Sequence, residues 1–262
     1  MSTQSPHDEF FKEIFGDLDR ARDFLRDALP PDVRDLLDLS LLRRESESYI
    51  SPELAETYAD LVFSVPLADS RALVAILLEH KSWAPKYPHL QVLAYLLGIW
   101  ERAAMDGTNL PLVLPLVLYN GLEKWSVTKF SQALPVYPER LRSFFPDFSF
   151  LLVNLAQTSG EDLKSAYHNR SVLVAMELMK AIFSPVEVAR LMERLSPDDG
   201  PMDAELALRF LRVVLRYIFK RSDFGVQQAL TLKLHPTTRE LTMTMEEQIL
   251  LRGEQAGLKK GH

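Results

Sequence analysis

The sequence predicts a mixed α/β fold of the α+β type, and three observations support this prediction. Apolar side chains recur every three or four positions over residues 10–29, which predicts one or two amphipathic helices that end at Pro30-Pro31. Short runs of β-branched and aliphatic residues follow over 48–78, separated by turn-forming residues. From about Glu161 onward the spacing is helical again. The chain is therefore predicted to run helix, three strands, helix, two strands and a helical C-terminal region.

The individual elements follow from the same patterns. Strands are predicted at residues 48–50, 58–65, 72–78, 112–119 and 148–155. A helix that begins after Pro88 and ends near Asp106-Gly107 separates the third strand from the fourth. Pro111 and Pro115 place the fourth strand at a sheet edge or a bulge, because proline donates no hydrogen bond to a ladder. The C-terminal helices are predicted at residues 163–183, 185–195 and 204–219.

Length and composition limit the classes of protein to consider. The 262 residues are 47% hydrophobic and carry a formal charge of −6, and they include no cysteine. This composition excludes a disulfide scaffold, a thiolate zinc site and a disordered chain. We predict a core over residues 1–158, a helical region over 159–245 and a polar helical tail over 246–262. The tail places a glycine at every fourth position, at Gly253, Gly257 and Gly261.

No segment of the sequence has the pattern of a signal peptide or a membrane span. The N-terminus is rich in acidic residues, and the longest apolar run, over 110–119, is short and contains two prolines. We therefore expect a cytoplasmic protein that does not associate with a membrane.

The second and third strands predict a hairpin that brings charged residues together. A hairpin centred on Asp69-Ser70 gives paired residue numbers a sum of 139, which places Asp60 opposite Glu79. Lys81 then lies at the same end of the same face, whereas the other face is wholly apolar and must be core. A shift of one residue in register would separate Asp60 from Glu79.

Three explanations of this cluster are open from the pattern alone. The strand end can be solvated, which requires no function. Lys81 can form a salt bridge with one acid, which leaves the second acid poorly compensated. A divalent cation can bind both carboxylates and relieve the repulsion that close pairing creates.

The same residues resemble the signature of a nuclease superfamily. Asp60, followed after one hairpin by Glu79-His80-Lys81, is similar to the PD-(D/E)xK motif, with Ala59-Asp60 in place of Pro-Asp. Further motifs are His7-Asp8 with Phe11-Lys12 and Phe15, ARDFLRDALP, LDLS, ADLVFSV, LLEHKS, GIWE and LPLVLPLVLYNG. This succession resembles the Rpn family of recombination-promoting nucleases, also called YhgA-like transposases, and is densest over residues 7–155.

The resemblance implies a PD-(D/E)xK restriction-endonuclease-like core of helix, three strands, helix and strand. It implies a metal-dependent DNA endonuclease that hydrolyses phosphodiester bonds and promotes recombination. Asp60, Glu79 and the backbone carbonyl of His80 would bind Mg²⁺, or Mn²⁺ or Ca²⁺ in its place. Lys81 would hold or polarise the attacking water. Many relatives have Gln at this position, so Lys81 makes this chain similar to a complete nuclease.

Gln91 is a further candidate catalytic residue, because nucleases of this class often carry Gln or Glu at the start of the next helix. Its helical face continues through Tyr95, Gly98 and Arg102, a stripe that is also typical of an exposed helix side. The class often adds an acid from outside the hairpin, and the candidates here are Glu9, Glu13 and Glu56. His7 and Asp8 match a family motif, although Asp8 also fits a helix N-cap.

The charge distribution indicates which part of the chain would contact DNA. Residues 1–160 hold 22 acids and 15 bases, a net of −7, whereas residues 161–262 hold 14 acids and 15 bases, a net of +1. A basic stripe in the second part is formed by Arg209, Arg212, Arg216 and Lys220. Such a stripe is either a solvated helix face or a contact with the phosphates of double-stranded DNA. A homodimer is expected because cutting both strands needs two sites.

Two other functions are weighed against the endonuclease. One is a nucleic-acid-binding or partner-binding protein of transposase-like origin with a weak or silent site. The other is a transposase of the three-acid type, which ranks last because it needs another acid and gives Lys81 no role.

Overall fold

A computed structural model of the chain describes residues 6–45, 59–67, 70–79, 87–125, 127–194, 213–214 and 216–218. The chain forms two compact units, Met1–Lys180 and Ala181–His262. The boundaries drawn from the sequence at 158 and 245 remain predictions. In the part of the chain that is described, no helix has the length and apolar character that a membrane span requires.

The first unit begins with two helices that confirm the prediction from the apolar spacing, followed by a short third helix that the spacing did not predict. They are α1 (Pro6–Phe15), α2 (Leu18–Ala28) and α3 (Pro31–Arg34). The Asp17 carboxylate caps α2 by accepting a hydrogen bond of 3.1 Å from the backbone N–H of Arg20. The break after α2 coincides with Pro30-Pro31, which confirms that prediction.

Among the described residues, five strands form one sheet in the order β1-β2-β3-β4-β5. Their bounds are β1 (Arg43–Arg44), β2 (Ala59–Leu67), β3 (Ser70–Glu79), β4 (Leu112–Tyr119) and β5 (Leu151–Asn154). The pairs β1–β2 and β2–β3 are antiparallel, whereas β3–β4 and β4–β5 are parallel. The predicted strands at 58–65, 72–78, 112–119 and 148–155 are confirmed, and the one at 48–50 lies outside the described residues.

The parallel connection between β3 and β4 contains α4 (Pro88–Met105). This helix begins at Pro88, where a missing N–H costs nothing, and ends before Gly107, whose φ of 67° is the left-handed conformation that favours glycine. Both ends agree with the predicted helix. Since parallel strands require such a crossover, α4 lies across one face of the sheet.

The prediction that β4 lies at an edge or a bulge was wrong. The strand lies between β3 and β5, and Pro115 pairs in register with Ala75 of β3. Pairing with β5 begins only at Leu116, so Pro115 lies just outside that ladder. A proline is tolerated here because this end of β4 has no β5 residue beside it.

Both faces of the sheet carry buried side chains in β2 and β4. On one face lie Leu61, Phe63, Val65, Leu116 and Leu118, all at most 1% exposed, and α1 contacts this part of β2. On the other face, Val62, Val117 and Tyr119 pack in one apolar cluster with residues of α4. The first face is the apolar core that the hairpin pattern predicts, and the second is an additional core that α4 supplies.

The helices after the sheet are α5 (Gly160–Ala166) and α6 (Arg170–Ala181). A capping box of Ser159 and Asp162 begins α5. The predicted helix over 163–183 is thus divided in two. In the second unit, α7 (Pro185–Arg194) confirms the predicted helix over 185–195, and residues 213–214 and 216–218 are helical within the predicted span of 204–219.

Candidate functional site

The hairpin register differs from the predicted one by two residues. Asp60 pairs with Leu77 rather than with Glu79, and paired residue numbers sum to 137 because the closing pair is Leu67 with Ser70. Two residues therefore separate the strands, and the centre lies one residue before the predicted Asp69-Ser70. Because the shift is even, positions 60 and 79 still share one face of the sheet and are diagonal neighbours.

These two positions lie at the end of the sheet where ligands of parallel sheets commonly bind. The parallel strands β3, β4 and β5 end together at Glu79, Tyr119 and Asn154, which are aligned in register. The antiparallel β2 begins at the same edge, so Asp60 joins them. Ligands of open α/β sheets bind outside the carboxyl ends of the strands. We refer to this edge as the carboxyl edge.

The backbones of Asp60 and Glu79 are described, but their side chains are not, and His80 and Lys81 lie outside the described residues. Diagonal neighbours in antiparallel strands have Cα atoms about 7–8 Å apart, which leaves room for an ion between two carboxylates. The donor types, two carboxylates and a backbone carbonyl, suit Mg²⁺, Mn²⁺ or Ca²⁺. Among the described residues no group of three or more His, Asp and Glu side chains could hold a metal ion.

Gln91 is half-buried in the first turns of α4, which begins at the carboxyl edge because the helix returns from the end of β3 to the start of β4. The stripe predicted to continue from Gln91 is not uniformly exposed. Tyr95 packs in the apolar cluster on the sheet, whereas Arg102 is exposed and pairs with Asp106 at 2.9 Å. Gln91 lies one helical turn before Tyr95, and therefore on the helix side that faces the sheet.

Asn154 is a buried residue of this edge that the sequence reasoning missed. Its Nδ2 donates to the Trp125 carbonyl at 2.8 Å and to Gln157 Oε1 at 2.7 Å, and its Oδ1 accepts from the Ala156 N–H at 3.0 Å. The Trp125 ring packs edge-on against Tyr119 with centroids 4.9 Å apart. Asn154 therefore fixes the segment that follows β4 to the end of β5. The available signal was an asparagine at the end of two predicted strands: Asn120 directly follows β4 and Asn154 is the last residue of β5, and both are buried.

His89 is a second buried polar residue that was missed. Its ring is 1% exposed and contacts Phe150 at 5.3 Å and Phe130 at 6.0 Å between ring centroids. Within the described part of the chain neither ring nitrogen has a hydrogen-bond partner. Burial among these rings lowers the pKa of His89 below its usual value, because an apolar environment disfavours the charged imidazole. The neutral imidazole is therefore part of the packing beneath the first turn of α4.

The remaining candidates lie elsewhere or are not described. Glu9 and Glu13 are in α1, and Glu56 is outside the described residues. Asp8 does not occupy an N-cap position, because α1 begins at Pro6. Of the predicted basic stripe only Arg216 is described, and it is exposed in a helical segment; Arg209, Arg212 and Lys220 lie outside the described residues.

Comparison with known proteins identifies relatives along most of the chain. Residues 5–198 match the family described as "Putative transposase, YhgA-like". The chain is 34% identical over 122 residues to recombination-promoting nuclease RpnA of Escherichia coli (strain K12), a match that covers 46% of this chain and 42% of RpnA. It is 31% identical over 123 residues to recombination-promoting nuclease RpnD of Escherichia coli O157:H7, covering 46% of this chain and 47% of RpnD.

A third relative aligns over nearly the whole chain. The "Inactive recombination-promoting nuclease-like protein RpnE" of Escherichia coli (strain K12) is 26% identical over 272 residues, covering 99% of this chain and 86% of RpnE. The matches to RpnA and RpnD, in contrast, span less than half the length of those proteins. No solved structure matches this chain.

Proposed function

The chain belongs to the YhgA-like transposase family that includes the Rpn recombination-promoting nucleases, and from this premise we propose that it is a metal-dependent DNA endonuclease. In this proposal its core is of the PD-(D/E)xK type, its substrate is double-stranded DNA and its cuts promote recombination. The family match supports a nuclease in general, and the metal dependence and the residues that carry the reaction are parts of the proposal.

The observation that carries the proposal is the register of the central strands. Asp60 and Glu79 occupy one face of the sheet at its carboxyl edge, although they are 19 residues apart in sequence. Gln91 enters the same edge from the first turns of α4. The order of an N-terminal helix, three strands, a crossover helix and a fourth strand agrees with the order that the resemblance implies.

In the proposed reaction each residue of the site would have a separate role. A divalent cation at this edge would polarise a phosphoryl oxygen and lower the pKa of a bound water. The Asp60 and Glu79 carboxylates and the His80 carbonyl would hold the ion. Lys81 would orient the attacking water and offset the charge that develops on the phosphate. Gln91 would fix the water or the phosphate by hydrogen bonding.

Cleavage of supercoiled plasmid tests the proposal. Nicking should require Mg²⁺ or Mn²⁺ and stop with EDTA. Asp60→Asn and Lys81→Ala should each lower the rate by about 1000-fold, which corresponds to about 4 kcal/mol of transition-state stabilisation. Calorimetric titration with Mn²⁺ should show weaker metal binding for Asp60→Asn, because the substitution removes a charged ligand without changing the shape of the side chain.

The matched control is Asp106→Asn, which removes an exposed carboxylate at the opposite end of α4. This variant should retain full activity. Nicking that persists in Asp60→Asn and Lys81→Ala, in protein free of contaminating nuclease, would rule out the proposed site.

A second candidate function is supported by a relative that aligns over nearly the whole chain. RpnE, which aligns over 99% of this chain, is described as inactive. A chain of the same family that lacks activity would act by binding nucleic acid or a protein partner. DNA binding without cleavage in any divalent cation, for wild type and variants alike, would favour this function over the endonuclease.

A further inference from the structure

Residues 127–150, between β4 and β5, form a loop that we call the arm. It contains two 3-10 turns, Phe130–Ala133 and Glu139–Phe144, and one isolated bridge between Lys129 and Ser149. Its exposed side chains are not needed to close the sheet, since β4 and β5 pair directly. The family match covers the arm, but nothing in that match assigns it a role.

The arm is rooted beside the carboxyl edge. Phe130 and Phe150, at its two ends, pack on His89 in the first turn of α4, two residues before Gln91. Trp125, just before the arm, contacts Phe150 at 5.8 Å between centroids and also contacts Tyr119, which pairs in register with Glu79. The root of the arm is therefore one strand away from the position of Glu79.

The base of the arm is braced internally. The Asp147 carboxylate accepts a hydrogen bond of 3.1 Å from the Ser131 N–H and forms ion pairs with Lys129 at 3.3 Å and with Arg142 at 3.5 Å. Phe130 stacks on Phe148 with centroids 5.5 Å apart, and their backbones form a hydrogen bond of 2.9 Å. Burial opposes the ionised form of Asp147, but its hydrogen bonds with Ser131 and Lys129 prevail, and the pKa of Asp147 is lowered. The Asp147 contacts hold the two halves of the arm together.

Beyond this base, the arm presents apolar side chains to solvent. Phe144 is 82% exposed, Val136 is fully exposed and Leu141 is about half exposed. Among the described residues, Phe144 has the largest exposed fraction of any aromatic side chain. The neighbouring Arg140 is also exposed, and among the described residues it has no carboxylate partner.

The charge of the arm differs from that of the sequence around it. Its 24 residues hold three bases and two acids, a net of +1, whereas the rest of residues 1–160 holds 12 bases and 20 acids, a net of −8. Two of the three bases, Lys129 and Arg142, are paired with acids of the arm itself. Arg140 is thus the cation that the arm offers to a partner, and the exposed Phe144, four residues further along the chain, offers a flat apolar face.

We propose that the arm is a DNA-contacting surface in which Arg140 binds a backbone phosphate and Phe144 stacks on a base beside the cut. The proposal rests on the nuclease function above, because the arm is rooted at the edge that would hold the scissile phosphate. Arg140 and Phe144 are an exposed cation and an exposed aromatic ring within one short 3-10 segment. Nucleic-acid-binding proteins use these two side-chain types for phosphates and bases. Phenylalanine is also among the side chains that are inserted between base steps of a duplex.

DNA binding of the full-length protein, measured by fluorescence anisotropy in Ca²⁺ or EDTA over a series of salt concentrations, tests the inference. Phe144→Ala should weaken binding by roughly 10-fold with an unchanged salt slope, because a stacking contact releases no counterion. Arg140→Gln should weaken binding and also reduce the salt slope by about one, because one phosphate contact is lost. The two variants thus have different signatures.

Matched controls come from the far end of α4. Met105→Ala removes a side chain that is 83% exposed, as Phe144 is 82% exposed, and Arg102→Gln removes an exposed guanidinium. Both should bind DNA like wild type. Thermal unfolding should show that all four variants are folded, because none of the four side chains is buried.

The outcomes separate this inference from the proposed function. If wild type cleaves DNA and depends on Asp60 and Lys81, but Phe144→Ala and Arg140→Gln bind like their controls, the inference alone is overturned. If wild type does not bind DNA at all, both are overturned. If Phe144→Ala binds DNA normally and instead loses a protein partner, the arm is a protein-docking surface and the inference is also wrong.

Discussion

The two faces of the central sheet both carry buried side chains in β2 and β4, yet they differ in their polar residues. The face that α1 contacts is apolar along its length, as Leu61, Phe63 and Leu118 show. The α4 face begins in the same way, with Val62 and Val117 in its cluster, but becomes polar toward the carboxyl edge. Glu79 and Asn154 lie at that end in register with Tyr119, and Asp60 is a diagonal neighbour of Glu79.

This difference between the two faces implies that one contributes mainly to stability and the other to function. A uniformly apolar face gains free energy from burial along its whole length. The polar end of the other face gains less, because each buried polar group has to be compensated by a hydrogen bond, an ion or a shifted pKa. Substitutions on the first face should therefore change the free energy of unfolding, whereas those at the polar end should change activity.

The largest expected effect on stability is at Phe63, which is fully buried on the apolar face. Phe63→Ala should lower the free energy of unfolding by about 3–5 kcal/mol, because it removes a packed ring and leaves a cavity. Urea unfolding followed by circular dichroism measures this loss. Leu97→Ala, at a half-exposed position of α4, is the control and should change stability by about 0.5 kcal/mol or less. An equal loss in both variants would contradict the contrast between core and surface.

A smaller loss is expected at Asn154, where stability and function overlap. Asn154→Ala leaves the buried Trp125 carbonyl without this donor and should cost about 1–3 kcal/mol. It should also weaken DNA binding, because Asn154 fixes the root of the arm. The control is Asn169→Ala, which removes a cap of α6 and a 2.6 Å contact with Asp23. We expect both variants to be destabilised by a similar amount, but only Asn154→Ala to lose DNA binding. Equal DNA binding by the two variants would contradict the role of Asn154 at the arm.

The sequence predicted the strands and helices better than their relations in space. Apolar runs in the sequence identify β2, β3 and β4 directly, because a nearly continuous apolar run of this length is typical of a strand in the middle of a sheet. The register of the hairpin was wrong by two residues, since a turn centre cannot be fixed to one residue by turn-forming residue types alone. Asp60 and Glu79 nevertheless remained on one face, because only an odd shift changes the face of a strand.

The arm and the buried polar residues could not be predicted, for a different reason. The 3-10 turns of the arm have neither helical nor strand periodicity, and Trp125, Phe130 and Phe150 come together only through tertiary packing. Likewise, nothing local distinguishes the buried His89 from an exposed histidine. Pro115 led to the wrong prediction that β4 lies at an edge or a bulge. The proline is tolerated because pairing with the short strand β5 begins only at Leu116, and the local sequence of β4 does not show where that pairing begins.

The smallest effect concerns His89, and it tests whether the polar end of the α4 face costs stability. The folded protein holds the pKa of this imidazole below the 6.5 of an unfolded chain, so below about pH 6.5 the unfolded state binds more protons. The contribution of His89 to the free energy of unfolding is fully present above that pH and is lost as the pH falls through it.

The variant His89→Phe tests this contribution. It should keep the ring contacts with Phe130 and Phe150 and raise the free energy of unfolding at pH 7.5 by about 1 kcal/mol. It should also reduce the loss of stability between pH 7.5 and 5.5. Urea unfolding at the two pH values measures both changes, with His168→Asn, at an exposed histidine, as the control that should retain the acid-side loss. The same loss in His89→Phe as in wild type would show that this buried imidazole is not the group through which acid destabilises the fold.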